Sequence, residues 1–237
     1  MRRRSDGTAE IAKWHRLLCG DSTKAEDVER LMDGETADMV FTDPPYGMRL
    51  ETDYKKVHSN HELVRSKTYA AVHGDDEDFD PRPLIDHFND AKTILLWGAD
   101  WYYDKLPPGG SFVIWNKRTA EGTKEMLGNH FETCWSREKR RRVVYDHLWS
   151  GFTARNRDFK REHPTEKPIA LLAQMIRDFD DEADLIVDPF LGSGTTLIAA
   201  EQLDRRCFGM EIDPSYCDVI VKRWENLTGN KAVLADA

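Results

Sequence analysis

The chain has 237 residues and a formal net charge of −9, with 40% hydrophobic and 32% charged side chains, the ordinary balance of a protein with a substantial core. This composition excludes an apolar membrane-spanning helix, because no apolar run approaches the ~20 residues required, and we expect no secretory signal, because no apolar stretch follows the basic first residues. The four cysteines lack CxxC spacing, so they predict reduced thiols of a cytoplasmic protein and not a zinc site or a disulfide framework.

Strand-like apolar runs alternate with amphipathic helical patterns along most of the chain. The predicted strands cover residues 15–19, 38–42, 93–97, 111–115, 132–136, 143–149, 185–188 and 207–212. The predicted helices cover residues 24–32, 82–91, 99–106, 168–179, 195–203 and 214–227. Such alternation predicts an α/β fold with a doubly wound, mostly parallel sheet of about seven or eight strands.

Two of these helices have recognisable signals at their first turns. Thr23 and Glu26 have the spacing of a capping box at the start of the 24–32 helix. Asp213 followed by Pro214 predicts a capped first turn for the 214–227 helix.

The segment FTDPPYG, residues 41–47, ends a predicted buried strand with one acid, two prolines and one aromatic residue. Neither proline can donate to a strand ladder, and Asp43 before Pro44 favours an extended backbone. The result is a stiff turn that presents one carboxylate and leaves backbone carbonyls free of the sheet. Taken alone, the segment is also compatible with an ordinary turn that ends a strand.

A second turn, DPFLGSGTT, joins the predicted strand 185–188 to the predicted helix 195–203. Gly192 and Gly194 permit a close backbone approach, and the helix N-terminus offers unpaired N–H groups to a polar or anionic ligand. About twenty residues later the next strand ends at Glu211, an acid that can accept bonds from both ribose hydroxyls of a nucleoside. We interpret the two strand ends as a nucleoside-cofactor cleft; the alternative is a tight turn and a helix-capping acid.

Four motifs together resemble those of the S-adenosylmethionine-dependent amino-DNA methyltransferases: DPPY, HPTEKP before a helix, DPFLGSGTT and GMEID. The resemblance covers roughly residues 15–227, and residues 163–216 are its most specific part. Because DPPY precedes the cofactor motifs, the order resembles that of the β, or circularly permuted, group. The resemblance implies a Rossmann-like methyltransferase sheet, S-adenosyl-L-methionine as the cofactor and double-stranded DNA as the partner.

The resemblance also implies roles for individual residues. The DPFLGSGTT turn would line the methionine portion of the cofactor, Glu211 would hold the ribose, the acid of CGDS would approach the adenine, and HPTEKP would close over the methionine end. For HPTEKP the alternative is a helix cap and a surface lysine. The implied cofactor-binding residues are Asp21, Thr165, Lys167, Asp188, Phe190, Gly192, Gly194 and Glu211.

The DPPY turn then acquires a chemical interpretation. An exocyclic amino group on a base is a poor nucleophile, because its lone pair is delocalised into the ring. If Asp43 and the Pro44 carbonyl accept its two hydrogens, the nitrogen can pyramidalise towards the sulfonium methyl, while Tyr46 stacks on a base flipped out of the duplex. We therefore predict a DNA (adenine-N6)-methyltransferase with Asp43, Pro44 and Tyr46 as its catalytic residues.

Other functions remain open at this point. The nearest is the same chemistry at cytosine N4, because the association of aspartate at position 43 with adenine is only a tendency. A methyltransferase of RNA or of a protein amide fits the late position of DPFLGSGTT less well. A catalytically silent DNA-binding module would not need both intact motifs, and a nicotinamide-dependent dehydrogenase would leave DPPY and HPTEKP unexplained.

The distribution of charge indicates where an acidic chain would hold DNA. Residues 117–162 carry twelve basic and seven acidic side chains, which are either a solvated charged face or a DNA-contacting surface. We predict one methyltransferase domain over 1–237, with a catalytic half (15–149), a short target-recognition segment (150–163) and a cofactor-binding half (164–228). Because 150–163 is short, we expect a mobile DNA-contacting loop at 48–80, or a second subunit, to share recognition. The predicted DNA-binding residues are Lys55, Lys56, Arg65, Lys67, Arg155, Arg157 and Arg161.

Two further expectations concern ligands and partners. His58 and His61 are three residues apart in a polar segment without supporting ligands, so we predict no metal site there. The predicted partners besides DNA are a second copy of the chain and a cognate restriction endonuclease.

Overall fold

The computed structural model describes residues 15–45, 79–118, 129–148 and 167–234. Within these ranges the chain forms eight strands, five α-helices and one short 3-10 helix. None of the helices in these ranges is long and apolar enough to cross a membrane.

The eight strands form one mixed sheet. Their bounds are β1 (Arg16–Cys19), β2 (Met39–Thr42), β3 (Thr93–Trp97), β4 (Ser111–Asn116), β5 (Phe131–Ser136), β6 (Val143–Asp146), β7 (Leu185–Asp188) and β8 (Arg206–Glu211). Every residue of β2, β3 and β7 is buried, as expected of central strands that are covered on both faces. The predicted fold class and strand number are confirmed.

The strand order across the sheet is β1-β8-β7-β2-β3-β5-β4-β6. The pairs from β1 to β3 are all parallel, whereas β5 runs antiparallel to both of its neighbours. β7 and β8, which come late in the chain, therefore lie between β1 and β2, which come early. This arrangement puts the carboxyl ends of five parallel strands on one edge, where ligands of open α/β sheets bind.

The helices cover both faces of the sheet. Their bounds are α1 (Ala25–Met32), α2 (Arg82–His87), α3 (Ile169–Phe179), α4 (Thr195–Gln202) and α5 (Pro214–Thr228). Side chains of α3 and α4 pack with one set of strand residues, including Phe41 and Trp97. Side chains of α1 and α2 pack with the alternate set, including Val40 and Leu96, as the two-residue period of a strand requires.

The predicted helix over 99–106 is wrong. The segment instead turns after Gly98, which has φ +72°, and forms only the 3-10 helix Tyr103–Lys105. Leu106 is extended, because the residue before a proline avoids the helical region. The predicted helix over 82–91 ends earlier, at His87, and the predicted strand over 143–149 ends at Asp146.

One predicted helix cap is confirmed and the other is wrong. The Asp213 carboxylate accepts a hydrogen bond from Ser215 N at 2.8 Å, with Pro214 at the first helical position. At α1, however, Lys24 is the N-cap and no side chain caps the helix. The Thr23 hydroxyl donates instead to Asp21 Oδ1 at 2.7 Å, so the expected capping box with Glu26 does not form.

Candidate active site

Acidic residues lie at, or within two residues after, the carboxyl ends of β1, β2, β7 and β8. Because these four strands are neighbours and parallel, their ends meet at one edge. Thr42 Oγ1 donates to Asp188 Oδ1 at 2.6 Å, which joins the end of β2 directly to the end of β7. The structure thus brings the DPPY turn and the glycine turn side by side.

Asp188 is buried beneath the glycine turn, with 3% of its surface exposed. Its Oδ1 also accepts from Phe190 N at 3.1 Å, so the carboxylate fixes the start of the turn. Burial raises the pKa of Asp188 to about 6, and the hydrogen bonds from Thr196, Thr42 and the Phe190 backbone offset part of that rise.

The glycine turn leaves room for a ligand at Gly192 and packs tightly at Gly194. Gly192 has φ +56°, and a Cβ built there would meet no atom within 4 Å. Gly194 has φ +88°, and a Cβ there would lie 3.0 Å from Ile220 of α5. Both positions favour glycine, but only Gly192 faces open space, so it is the position at which a ligand can approach the backbone.

Glu211 holds the turn from the neighbouring strand. Its Oε2 accepts from Gly192 N at 2.8 Å and its Oε1 accepts from Asp213 N at 2.9 Å. Burial raises the pKa of Glu211, although the two backbone donors act in the opposite direction. An ionised carboxylate has about four acceptor sites, so Glu211 retains capacity for two hydroxyl groups of a ligand.

Asp21 follows β1 at the same edge. Its Oδ1 accepts from the backbone and the hydroxyl of Thr23, at 3.0 and 2.7 Å, and Lys24 Nζ lies 3.3 Å from Oδ2. The Thr23 hydroxyl and the Lys24 charge lower the pKa of Asp21, although burial opposes them. Asp21 is therefore an ionised acceptor on the rim of the cleft.

Asp43 differs from these acids in having one oxygen without a partner. Its Oδ2 accepts from Lys167 Nζ, whereas Oδ1 is buried and has no hydrogen-bond partner in the described structure. Buried acceptors are nearly always paired, and an exception needs an explanation. Burial raises the pKa of Asp43, and the Lys167 charge offsets only part of this effect.

Lys167 connects Asp43 to a second acid that the sequence did not single out. The Lys167 side chain is only 7% exposed, and its Nζ lies 3.5 Å from Glu132 Oε2. It also lies 5.0 Å from the ring centroid of Trp97, within the range of a cation–π contact. Glu132 in turn accepts from Lys117 Nζ through Oε1. The four charged groups form an alternating row that begins at the DPPY turn.

Several predicted site residues lie outside the described residues. They are Tyr46, Lys55, Lys56, Arg65, Lys67, Arg155, Arg157, Arg161 and Thr165. Their proposed roles stay predictions, as do the boundaries of the 48–80 loop and the 150–163 segment.

Part of the basic excess in residues 117–162 stabilises the fold. Arg137 donates to the backbone oxygens of Asn89 and Ala91. Arg140 donates to Phe179 O at 2.6 Å and to Glu138 Oε2 at 2.8 Å. These two guanidinium groups are therefore already bound within the protein, and the net charge of the run overstates what is available to DNA.

Comparison with known proteins agrees with this geometry. Residues 113–222 match the N6_N4_Mtase family model, whose description is DNA methylase. The Type II methyltransferase M2.DpnII of Streptococcus pneumoniae is 39% identical over 79 residues, which are 33% of this chain and 30% of that protein. The Type II methyltransferase M.HinfI of Haemophilus influenzae is 26% identical over 87% of this chain and 68% of its own length. The match to M2.DpnII thus spans less than a third of that relative.

Solved structures show the same fold. The crystal structure of the M1.HpyAVI-SAM complex superimposes with a TM-score of 0.51 at 17% identity, covering 89% of this chain and all of the other. At this level of identity the similarity establishes the architecture of the sheet and its helices. The family match thus covers residues 113–222, just under half of the chain, and both of the relatives above are named Type II methyltransferases.

Proposed function

We propose that this protein is a site-specific DNA methyltransferase that transfers a methyl group from S-adenosyl-L-methionine to the exocyclic N6 of an adenine flipped out of the duplex. The observation that carries the proposal is the buried Oδ1 of Asp43, which has no hydrogen-bond partner within the described ranges and lies beside a turn with the features of a nucleoside site. The family match and the names of the relatives support the reaction class.

The residues at the carboxyl edge fit the cofactor. The open space at Gly192 allows the ligand to approach the backbone, and Glu211 has unused acceptor capacity for its ribose hydroxyls. When bound, S-adenosyl-L-methionine supplies an electrophilic methyl group on a positively charged sulfur. Asp21, Asp188 and Glu211 place negative charge around that cleft.

The protein's contribution to the reaction is to position the amino group and to hold charge near it. Asp43 Oδ1 accepts one amino hydrogen and the Pro44 carbonyl accepts the other, which localises the nitrogen lone pair for attack. The bound cofactor would supply its methyl group to that nitrogen and be left as a neutral thioether, and Asp43 Oδ1 would take up the proton that the nitrogen loses. Tyr46 would stack on the flipped base.

The position of Lys167 refines its predicted role. The resemblance implies a residue that closes over the methionine end of the cofactor, and in the structure its ammonium is bound to Asp43. We retain cofactor binding by Lys167 as a proposal beside this contact.

The proposal includes the partners and the cellular context. Double-stranded DNA is the substrate, and a second copy of the chain and a cognate endonuclease of a restriction-modification pair are proposed partners. The four cysteines are free thiols, which supports a reducing, cytoplasmic location. The circularly permuted motif order is also part of the proposal.

The test is methylation of DNA that lacks modified bases, followed by mass spectrometry of the nucleosides. We expect N6-methyladenine with wild-type protein and none with Asp43→Asn, which keeps the shape of the side chain but removes its charge. Asp33→Asn, at an exposed carboxylate after α1, is the matched control and should methylate normally.

Two outcomes would contradict the proposal in different ways. If only N4-methylcytosine appears, the mechanism stands and the target base is wrong. If wild-type protein binds S-adenosyl-L-methionine but methylates no DNA, the proposed activity is wrong.

A further inference from the structure

The charged row beside the DPPY turn contains an asymmetry. The Lys167 ammonium pairs with Oδ2 of Asp43 and lies 3.5 Å from Oε2 of Glu132. Glu132 uses its remaining oxygen, Oε1, for Lys117. Each contact in the row thus uses a different oxygen, and Asp43 Oδ1 has no hydrogen-bond partner among the residues that the structure describes.

A buried ammonium is expected to bind Asp43 Oδ1 as well, because this contact would satisfy another of its hydrogen-bond donors. It carries three donors, and Lys167 is 7% exposed, so solvent replaces few of its lost hydrogen bonds. The nearest way to satisfy a further donor is to bridge both oxygens of Asp43. In the structure the ammonium instead contacts Glu132 and lies over the Trp97 ring, as well as binding Asp43 Oδ2.

Stability alone does not account for the row. Burying ion pairs costs desolvation free energy that their attraction often only balances. The side chains of Asp43 and Glu132 are each 25% exposed, so screening weakens the pairs further. If the row of charges instead positions Asp43 for the target base, this explains why the row ends at the DPPY turn.

We infer that Glu132 is a positioning residue that draws the Lys167 ammonium away from Asp43 Oδ1 and keeps this oxygen open for the amino group of the target base. The inference rests on the proposed function. It adds a residue from β5, far from the DPPY and HPTEKP motifs in sequence, to the set that controls the reaction.

The inference predicts opposite pH shifts for two substitutions. In Glu132→Gln the ammonium can bridge both Asp43 oxygens and the repulsion from Glu132 is gone, so Asp43 should ionise at lower pH. In Lys167→Met its counter-ion is lost, so Asp43 should ionise at higher pH. Asp188, Tyr102 and Cys134 are also within electrostatic reach of Asp43 and are unchanged in both variants.

The experiment is a single-turnover methylation rate measured against pH, with S-adenosyl-L-methionine affinity from calorimetry. For Glu132→Gln we expect the plateau rate to fall about tenfold or more, because misplacement at a reacting centre can cost up to about 100-fold. The acidic side of the plot of rate against pH should move to lower pH. The affinity for S-adenosyl-L-methionine should stay near the wild-type value. Glu132→Asp, which restores the charge, should recover part of the rate.

The matched control is Lys92→Met. Lys92 Nζ lies 3.1 Å from the buried carboxylate of Asp180, at the opposite edge of the sheet. The Lys92→Met variant therefore measures how much unfolding free energy is lost when an ion pair distant from the cleft is broken. If Glu132→Gln does not fold, the double variant Glu132→Gln/Lys117→Gln removes one charge of each sign. It should show the same rate loss with a smaller shift of the pH–rate profile, because the Lys117 charge also lowers the pKa of Asp43.

The outcomes separate this inference from the proposed function. Normal methylation by Glu132→Gln would overturn the positioning role. So would a lower rate without a shift of the pH–rate profile, if the loss of stability is similar to that of Lys92→Met. Absence of methylation by the wild-type protein would instead overturn the proposed function itself.

Discussion

Replacing Glu211 by alanine tests the nucleoside cleft most directly. The carboxylate holds Gly192 N at 2.8 Å and Asp213 N at 2.9 Å, and it is proposed to accept the ribose hydroxyls as well. A hydrogen bond to a charged group contributes ~1.5–3 kcal/mol, so loss of the ribose contact should weaken S-adenosyl-L-methionine binding about 10- to 100-fold. Glu211→Gln keeps one acceptor oxygen and should give an intermediate loss.

Calorimetry of the cofactor and thermal unfolding, measured on the same samples, separate affinity from stability. Asp213→Ala is the control, because it removes the helix cap at Ser215 N without removing the proposed ribose acceptor. It should cost ~1 kcal/mol of unfolding free energy with cofactor affinity unchanged. Cofactor binding by Glu211→Ala that equals the wild type would refute the assignment of the cleft.

Three further predictions concern packing, pH and salt. Gly209→Ala should lower unfolding free energy by ~1–3 kcal/mol in chemical denaturation, because the new Cβ would lie 2.4 Å from the Leu191 side chain; an unchanged midpoint would contradict this packing. Burial lowers the pKa of His15 despite its bond to a glutamate, so unfolding free energy should decrease as pH falls below the ordinary histidine value of 6.5, and His15→Gln should make that decrease shallower. The third change is to neutralise Arg155, Arg157 and Arg161. If residues 150–163 contact DNA, each lost phosphate contact should flatten the slope of log affinity against log salt concentration by ~0.9. An unchanged slope would indicate that this segment is a solvated face.

Local patterns in the sequence predicted most of the sheet. The apolar runs 93–97 and 185–188 coincide with β3 and β7, because central strands are buried on both faces and their signal is continuous. The segment 99–106, which was wrongly predicted as a helix, is bounded by a turn at Gly98 and by two prolines. A short segment between two such constraints follows them and not its propensity.

The candidate site was only partly accessible to sequence reasoning. Asp43, Asp188 and Glu211 follow or end strands, so the topology alone brings them to one edge. Glu132 had no such signal, because its place beside Lys167 depends on β5 running antiparallel to β3. The contact between Lys167 and Asp43 joins residues 124 positions apart, and no local pattern specifies a pairing at that distance.

The interleaved strand order also constrains how the protein can be made. β1 pairs with β8, and Cys207 N donates to the His15 ring across 192 positions, so the first strand has no sheet neighbour in this order until β8 has left the ribosome. At ~5–20 residues per second, that wait lasts roughly 10–40 s. During this time an apolar strand is exposed to aggregation or to a chaperone. The glycine turn and Glu211 emerge in the same late stretch, so the nascent chain cannot assemble the proposed cofactor cleft before β8 is available to complete the sheet.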